Sequence, residues 1–196
     1  SIGGPAKGII VREIDALGGQ MPKTADKTYL QMKMLNTAKG PGVQSLRAQA
    51  DKKVYPRYMQ EVLKKQENLD IIEGMVEDLI VEDNCVKGVI LDNGQTIEGR
   101  MVILTTGTYL KAEILCGDQK HASGPDQQKE SKYLSEKLAN LGMRIQRLKT
   151  GTPPRVEINS VDYSKTSLQP GTDANLAFSY QTNEFIPIEE QTPCYL

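Results

Sequence analysis

The 196-residue chain is 38% hydrophobic and 25% charged with a formal net charge of −1, the composition of an ordinary soluble globular protein, long enough for one full core or for one domain and part of a second. No apolar run approaches the roughly 18 residues that span a bilayer, and the N-terminus lacks the basic, apolar and small-residue pattern of a signal peptide, so no membrane association is expected. Three cysteines (Cys85, Cys116, Cys194) without a CxxC, and a lone His121, argue against a disulfide framework, a zinc site and a Ser-His-Asp triad, and for a reducing, cytoplasmic setting.

Charge is unevenly spread. Residues 1–60 carry ten Lys/Arg against four acids, which leaves the remainder acidic. The basic half fits either an anionic partner, such as a phosphate-bearing cofactor or nucleic acid, or a solvated face balanced by the acidic half.

In chain order, Pro5, the spacing of Ile10, Ile14 and Leu17, and the Gly18-Gly19 stop predict a helix over 5–17. Residues 20–43 lack clean periodicity and carry the loop signal Lys39-Gly40-Pro41-Gly42. Residues 44–66 read as helical, with Tyr58, Met59, Val62 and Leu63 on one face and Pro56 starting or kinking the second part. Then the period changes. A short apolar run at 69–73 precedes strands expected at 76–82, 85–91 and 95–98, joined by turns at Asp83-Asn84 and Asp92-Asn93-Gly94. The run Met101-Val-Ile-Leu-Thr105 predicts a strand buried on both faces of a parallel sheet. A helix follows over 129–141 and a strand over 143–148, after which the Pro-, Ser- and Asn-rich sequence marks a domain boundary near residue 150.

This order is that of an α/β, partial FAD/NAD(P)-binding Rossmann-like domain carrying a three-stranded antiparallel β-meander. Residues 1–149 are expected to form it, and residues 150–196 to link to and start a second, NAD-related domain. Four places could carry chemistry. Gly3, Gly4 and Lys7 stand at a helix start, where free N–H groups favour an anion, although from the spacing alone a tight turn into a surface helix is the better explanation. Arg47 and Gln49 alternate with alanines before Asp51, offering polar ligand or RNA contacts, with Asp51 as a helix cap. Thr106-Gly107 ends the expected buried strand, where open α/β sheets bind ligands. Lys149 and Arg155 flank a Pro-Pro turn that could meet a phosphate or serve as a rigid connection. No nucleophile stands beside a base, so no catalytic residue is assigned.

Three blocks, Ser-Ile-Gly-Gly-Pro-Ala-Lys-Gly through Ala-Leu-Gly-Gly, Lys-Gly-Pro through Leu-Arg-Ala-Gln-Ala-Asp, and Leu-Lys-Thr-Gly-Thr-Pro-Pro-Arg, resemble the GidA/MnmG family of tRNA uridine 5-carboxymethylaminomethyl modification enzymes. The resemblance covers the whole chain in the family's order. It implies FAD as cofactor, NADH as reductant, and joint action with the MnmE GTPase on the wobble uridine of tRNA by a homodimer. It also implies that Val76 and Ser131 contact FAD, with Gly3, Gly4, Thr106 and Gly107 as flavin neighbours. The family's glycine fingerprint, one cysteine and its C-terminal helical region would lie outside this stretch. The chain is therefore expected to be an internal piece, inactive alone and weak in holding FAD. A related folate/FAD-dependent tRNA methyltransferase, a generic flavin oxidoreductase and a non-catalytic RNA-binding module are the alternatives.

Overall fold

The computed structural model describes residues 1–196. The elements run β1 (Ile2–Gly3), α1 (Lys7–Ala16), α2 (Met21–Thr28), β2 (Tyr29–Leu35), β3 (Ser45–Ala50), α3 (Val54–Lys64), β4 (Val76–Glu82), β5 (Cys85–Leu91) and β6 (Thr96–Glu98). They continue through β7 (Glu113–Cys116), β8 (Gln119–Ala122), α4 (Leu134–Asn140), β9 (Leu168–Gln169) and β10 (Cys194–Tyr195). Two compact units result, one of residues 1–70 with 154–196 and one of residues 71–153. The chain passes back from the second unit to the first at Pro153/Pro154, so residues 154–196 fold with residues 1–70.

In the first unit an antiparallel sheet of order β1-β3-β2 buries Met32, Leu46 and Ala48 against Val11 of α1, Ala25 of α2 and Phe178 of the tail. The expected loop over 20–43 is instead helix then strand. The expected helix over 44–66 is split, because Leu46 and Ala48 alternate with Arg47 and Gln49 at the two-residue period of a half-buried strand. The alanines that favour a helix locally are small residues for a crowded sheet face. Asp51 then caps α3, its carboxylate accepting from the N–H groups of Lys53 at 2.7 Å and Val54 at 2.9 Å.

Helix α1 ends in a Schellman motif, with Gly18 at φ 84°, its N–H donating to Asp15 and that of Gly19 to Ile14. Its buried face is Gly8, Val11 and Asp15 rather than Ile10, Ile14 and Leu17; Leu17 is 89% exposed. Gly8 is forced to be small, since a Cβ there would lie 2.4 Å from Ser45 Oγ.

The second unit holds the meander β4-β5-β6 as read from the sequence. Asp83 and Asn84 both have positive φ, the requirement of a two-residue type I′ turn. Gly94, at φ 82°, closes the second hairpin. Leu134 and Leu138 of α4 are buried, and Lys137 pairs with Asp78 of β4 at 2.8 Å. Residues 113–122 form a hairpin, with Cys116 at the end of β7. The expected strand over 101–105 is irregular and open, with Met101 and Ile103 each 86% exposed, and the one expected over 143–148 is irregular too. An apolar run becomes a strand only when neighbours complete its hydrogen-bond ladder, and no strand of this chain pairs with either run.

The titration behaviour of the fold follows from a few groups. Hydrogen bonds from Lys27, Lys129 and Lys111 hold the carboxyls of Glu184, Asp92 and Glu136 below their ordinary values, and the amides of Val54 and Lys53 do so for Asp51. A depressed carboxyl contributes stability above the ordinary carboxylate range that is lost as pH falls through the lowered value. Burial raises the Tyr29 and Tyr55 hydroxyls, so their contribution is present below the ordinary tyrosine value and lost as pH rises through the raised one. Thermal melts across pH should show a plateau around neutrality, an acid limb within the carboxylate range that added salt flattens, and an alkaline limb above the tyrosine range.

Candidate functional site

The Ser-Ile-Gly-Gly-Pro segment forms β1 and a tight turn into α1. Gly3 (φ 86°) and Gly4 (φ 93°) are both left-handed. The Gly4 N–H donates to Leu46 O at 2.8 Å, and the Gly4 carbonyl accepts from Gly8 N–H at 2.7 Å and from Ser45 Oγ at 2.5 Å. The Lys7 N–H donates to Pro5 O at 2.7 Å across Ala6, which sits at φ 61°, ψ −50°. That three-residue γ-turn is a strained conformation for a residue with a Cβ. Two amides of the helix start are thus already engaged, while the Lys7 side chain is exposed.

Arg47 and Gln49 project from one face of β3, the central strand, with Lys33 and Gln31 of β2 directly across from them. Arg47 makes no ion pair, and its Nε is buried without a hydrogen-bond partner. Gln31 is 1% exposed, donating to Gln169 O at 2.9 Å and accepting from the Cys194 thiol at 3.4 Å. Lys33 Nζ donates to Gln169 Oε1 at 2.5 Å. The two-stranded ribbon of β9 and β10 therefore walls one end of this polar face.

The tail is fastened to the same unit by buried polar groups that the sequence did not single out. Asp26, 2% exposed, accepts from the N–H groups of Phe178 at 2.9 Å and Ser179 at 2.8 Å and from Thr182 Oγ1 at 2.7 Å. Asp15 accepts from Tyr180 N–H at 3.0 Å, and Arg12 donates to Ala177 O at 3.1 Å. Gln191 accepts from Met32 N–H at 3.1 Å and donates to Thr172 O and Ile186 O. Thr172 and Thr192 N–H groups complete the outer edge of β2 at Met32 and Leu30.

In the second unit, Val76 opens β4, an edge strand whose outer main-chain groups meet no other strand. Ser131 lies before α4, not on it. It forms a parallel bridge with Leu110, donates its N–H to Tyr109 O at 2.9 Å and accepts from Lys111 N–H at 2.7 Å. Its side chain is buried, and the hydroxyl has no hydrogen-bond partner. Gly107 turns at φ 56°, with Thr106 O accepting from Tyr109 N–H at 3.2 Å. Val76, Thr106, Gly107, Ser131 and Lys149 belong to this unit, whereas Gly3, Gly4, Lys7, Arg47, Gln49 and Arg155 belong to the other. Lys149 and Arg155 are exposed on irregular chain.

No helix is long and apolar enough to cross a membrane. Among curated proteins, the chain is 57% identical over 196 residues to the tRNA uridine 5-carboxymethylaminomethyl modification enzyme MnmG of Geobacillus kaustophilus and 54% identical to that of Bacillus subtilis. Each alignment covers all of this chain and 31% of the relative, so the chain spans about a third of the length of the proteins it matches. Among solved structures, Aquifex aeolicus GidA in two crystal forms superposes with TM-scores of 0.90 and 0.89 at 44% identity, over 99% of this chain and 33% of that one. The family model described as Glucose inhibited division protein A matches residues 1–196. Sharing both that sequence signature from end to end and the fold of GidA, the chain belongs to the glucose inhibited division protein A family.

Proposed function

We propose that this chain is the flavin-cradling portion of an FAD-dependent enzyme that installs the 5-carboxymethylaminomethyl group on the wobble uridine of tRNA. The observation that carries the reading is 57% identity, without loss of any part of the chain, to a relative named for that modification. The parent protein would draw reducing equivalents from NADH, work with the MnmE GTPase as a cytoplasmic homodimer, and take tRNA as its macromolecular substrate.

The residues present suit a dinucleotide. Val76 sits on an edge strand, where main-chain N–H and C=O groups can read the edge of an adenine. Ser131 offers a buried hydroxyl with no partner within this chain, which is costly unless something else meets it. Thr106 and Gly107 form a turn in the same unit, where the main chain can lie close to a planar ring. Gly3, Gly4 and Lys7, at the turn into α1 in the first unit, would be further flavin neighbours, Lys7 supplying charge. Arg47 and Gln49 would meet a polar ligand, and Lys149 and Arg155 the tRNA backbone. Bound FAD would supply two-electron redox chemistry, and the chain's own groups would bind and orient it.

Nucleoside mass spectrometry of tRNA tests this. Disrupting the encoding gene should remove 5-carboxymethylaminomethyl-type uridines from the wobble position, and restoring it should return them. An unchanged nucleoside profile would overturn the proposal.

A further inference from the structure

We propose that Arg47, Lys33 and Gln49 form a binding site for a small ligand that bears a terminal oxyanion, a phosphate or a carboxylate. Arg47 and Lys33 are register partners on adjacent antiparallel strands, so two cations stand directly opposite each other on one sheet face. Like charges so placed repel and destabilise the pair. Neither has a carboxylate partner: Lys33 donates to a neutral amide oxygen of Gln169, and Arg47 makes no ion pair. The buried, unpartnered Arg47 Nε adds the cost of an unmet donor. One oxyanion between the two cations removes their repulsion and supplies the missing counter-charge, and a guanidinium fork matches either a carboxylate or a phosphate bidentately. Gln49, two residues along the same face, provides an amide for a second polar group on the ligand.

The setting selects a small ligand over a nucleic-acid backbone. Arg47, Lys33 and Gln49 are all half-buried, and the β9–β10 ribbon closes one end through Gln169 and Cys194. A terminal oxyanion can reach such a partly covered face end-on, whereas a phosphodiester chain must pass along an open surface. This inference rests on the reading of Arg47 and Gln49 as polar-ligand contacts and not on flavin binding.

The test is made on flavin-free protein, by thermal melts at fixed ionic strength in chloride, inorganic phosphate or acetate. Phosphate, acetate or both should raise Tm above the chloride value, and the more effective anion identifies the source of the oxyanion. Arg47→Met keeps the apolar stem and removes the unmet donor, so it should melt no lower than wild type in chloride and lose the anion response. Arg47→Lys should weaken apparent anion affinity by roughly tenfold, as expected on losing a bidentate charge-assisted contact. Lys33→Met should reduce the response without abolishing it. Equal melting in all three salts, or an undiminished response in Arg47→Met, would overturn the proposal and leave the flavin assignment untouched.

Discussion

Replacing Asp26 with alanine should be among the most damaging single changes in the chain. The carboxylate is buried on α2 and accepts three hydrogen bonds from residues 178–182, more than 150 positions away in sequence. Removing it leaves the buried amides of Phe178 and Ser179 without acceptors, each at about 1–3 kcal/mol. The combined loss is about 3 kcal/mol or more, a large share of the roughly 5–15 kcal/mol that holds a domain together. For a chain of this size that corresponds to a fall in Tm of about 6–12 °C. Asp26→Asn should be milder, because one oxygen still accepts while its NH2 group faces other donors. Hydrogen exchange supplies the local readout: amides 176–182 should exchange much faster in Asp26→Ala, while the meander is unaffected. Unchanged protection there would show that the tail is held by other means.

Gly3→Ala is the second large effect. Its cost has two sources. Residue 3 has φ 86°, where a side chain costs about 1–2 kcal/mol. The new Cβ would also lie 2.3 Å from Leu46 O and 2.6 Å from Phe178 Cζ. Neither neighbour can retreat easily: the Leu46 carbonyl accepts the Gly4 N–H, and Phe178 is completely buried. Overpacking of this kind adds about 1–3 kcal/mol, so a total of about 2–5 kcal/mol is expected in urea unfolding. Gly40 is the matched control, with φ −61° and open space around its Cβ position; Gly40→Ala should be neutral or slightly stabilising. Similar effects at both sites would mean that Gly3 is not held by packing against β3 and Phe178.

These two residues also show where sequence reading reached and where it stopped. Local chemistry was legible. Asp83-Asn84 and Asp92-Asn93-Gly94 announce their turns, and the meander strands follow within a residue or so. The Gly18-Gly19 stop of α1 and the Asp51 cap were legible for the same reason, since each is satisfied within a few residues. What required the fold was every decision made by distant partners. The buried face of α1 carries Asp15 because its carboxylate meets Tyr180 N–H, a contact that no helical periodicity encodes. Residues 45–50 form a strand because β1 and β2 flank them, overriding a local alanine-rich preference for helix. Conversely, the apolar run at 101–105 lacks flanking strands and remains irregular.

The candidate site divides in the same way. Arg47 and Gln49 were legible as polar candidates, but the helix expected over 44–66 would have set them on different faces; the strand puts them on one face, and its register adds Lys33 opposite Arg47. Ser131 has no local signal that distinguishes it from any serine near a helix. Family resemblance pointed to it, and its buried hydroxyl gives that assignment a physical content.

The flavin content of the purified full-length protein, read from its visible absorbance, tests the central claim most directly. Wild type should carry FAD, and Ser131→Ala should carry less while keeping the same far-ultraviolet circular dichroism and, once both proteins are stripped of flavin, the same Tm, because the hydroxyl has no partner within this chain to lose. A colourless wild-type protein that takes up no added FAD, or a Ser131→Ala variant with undiminished flavin affinity, would contradict it.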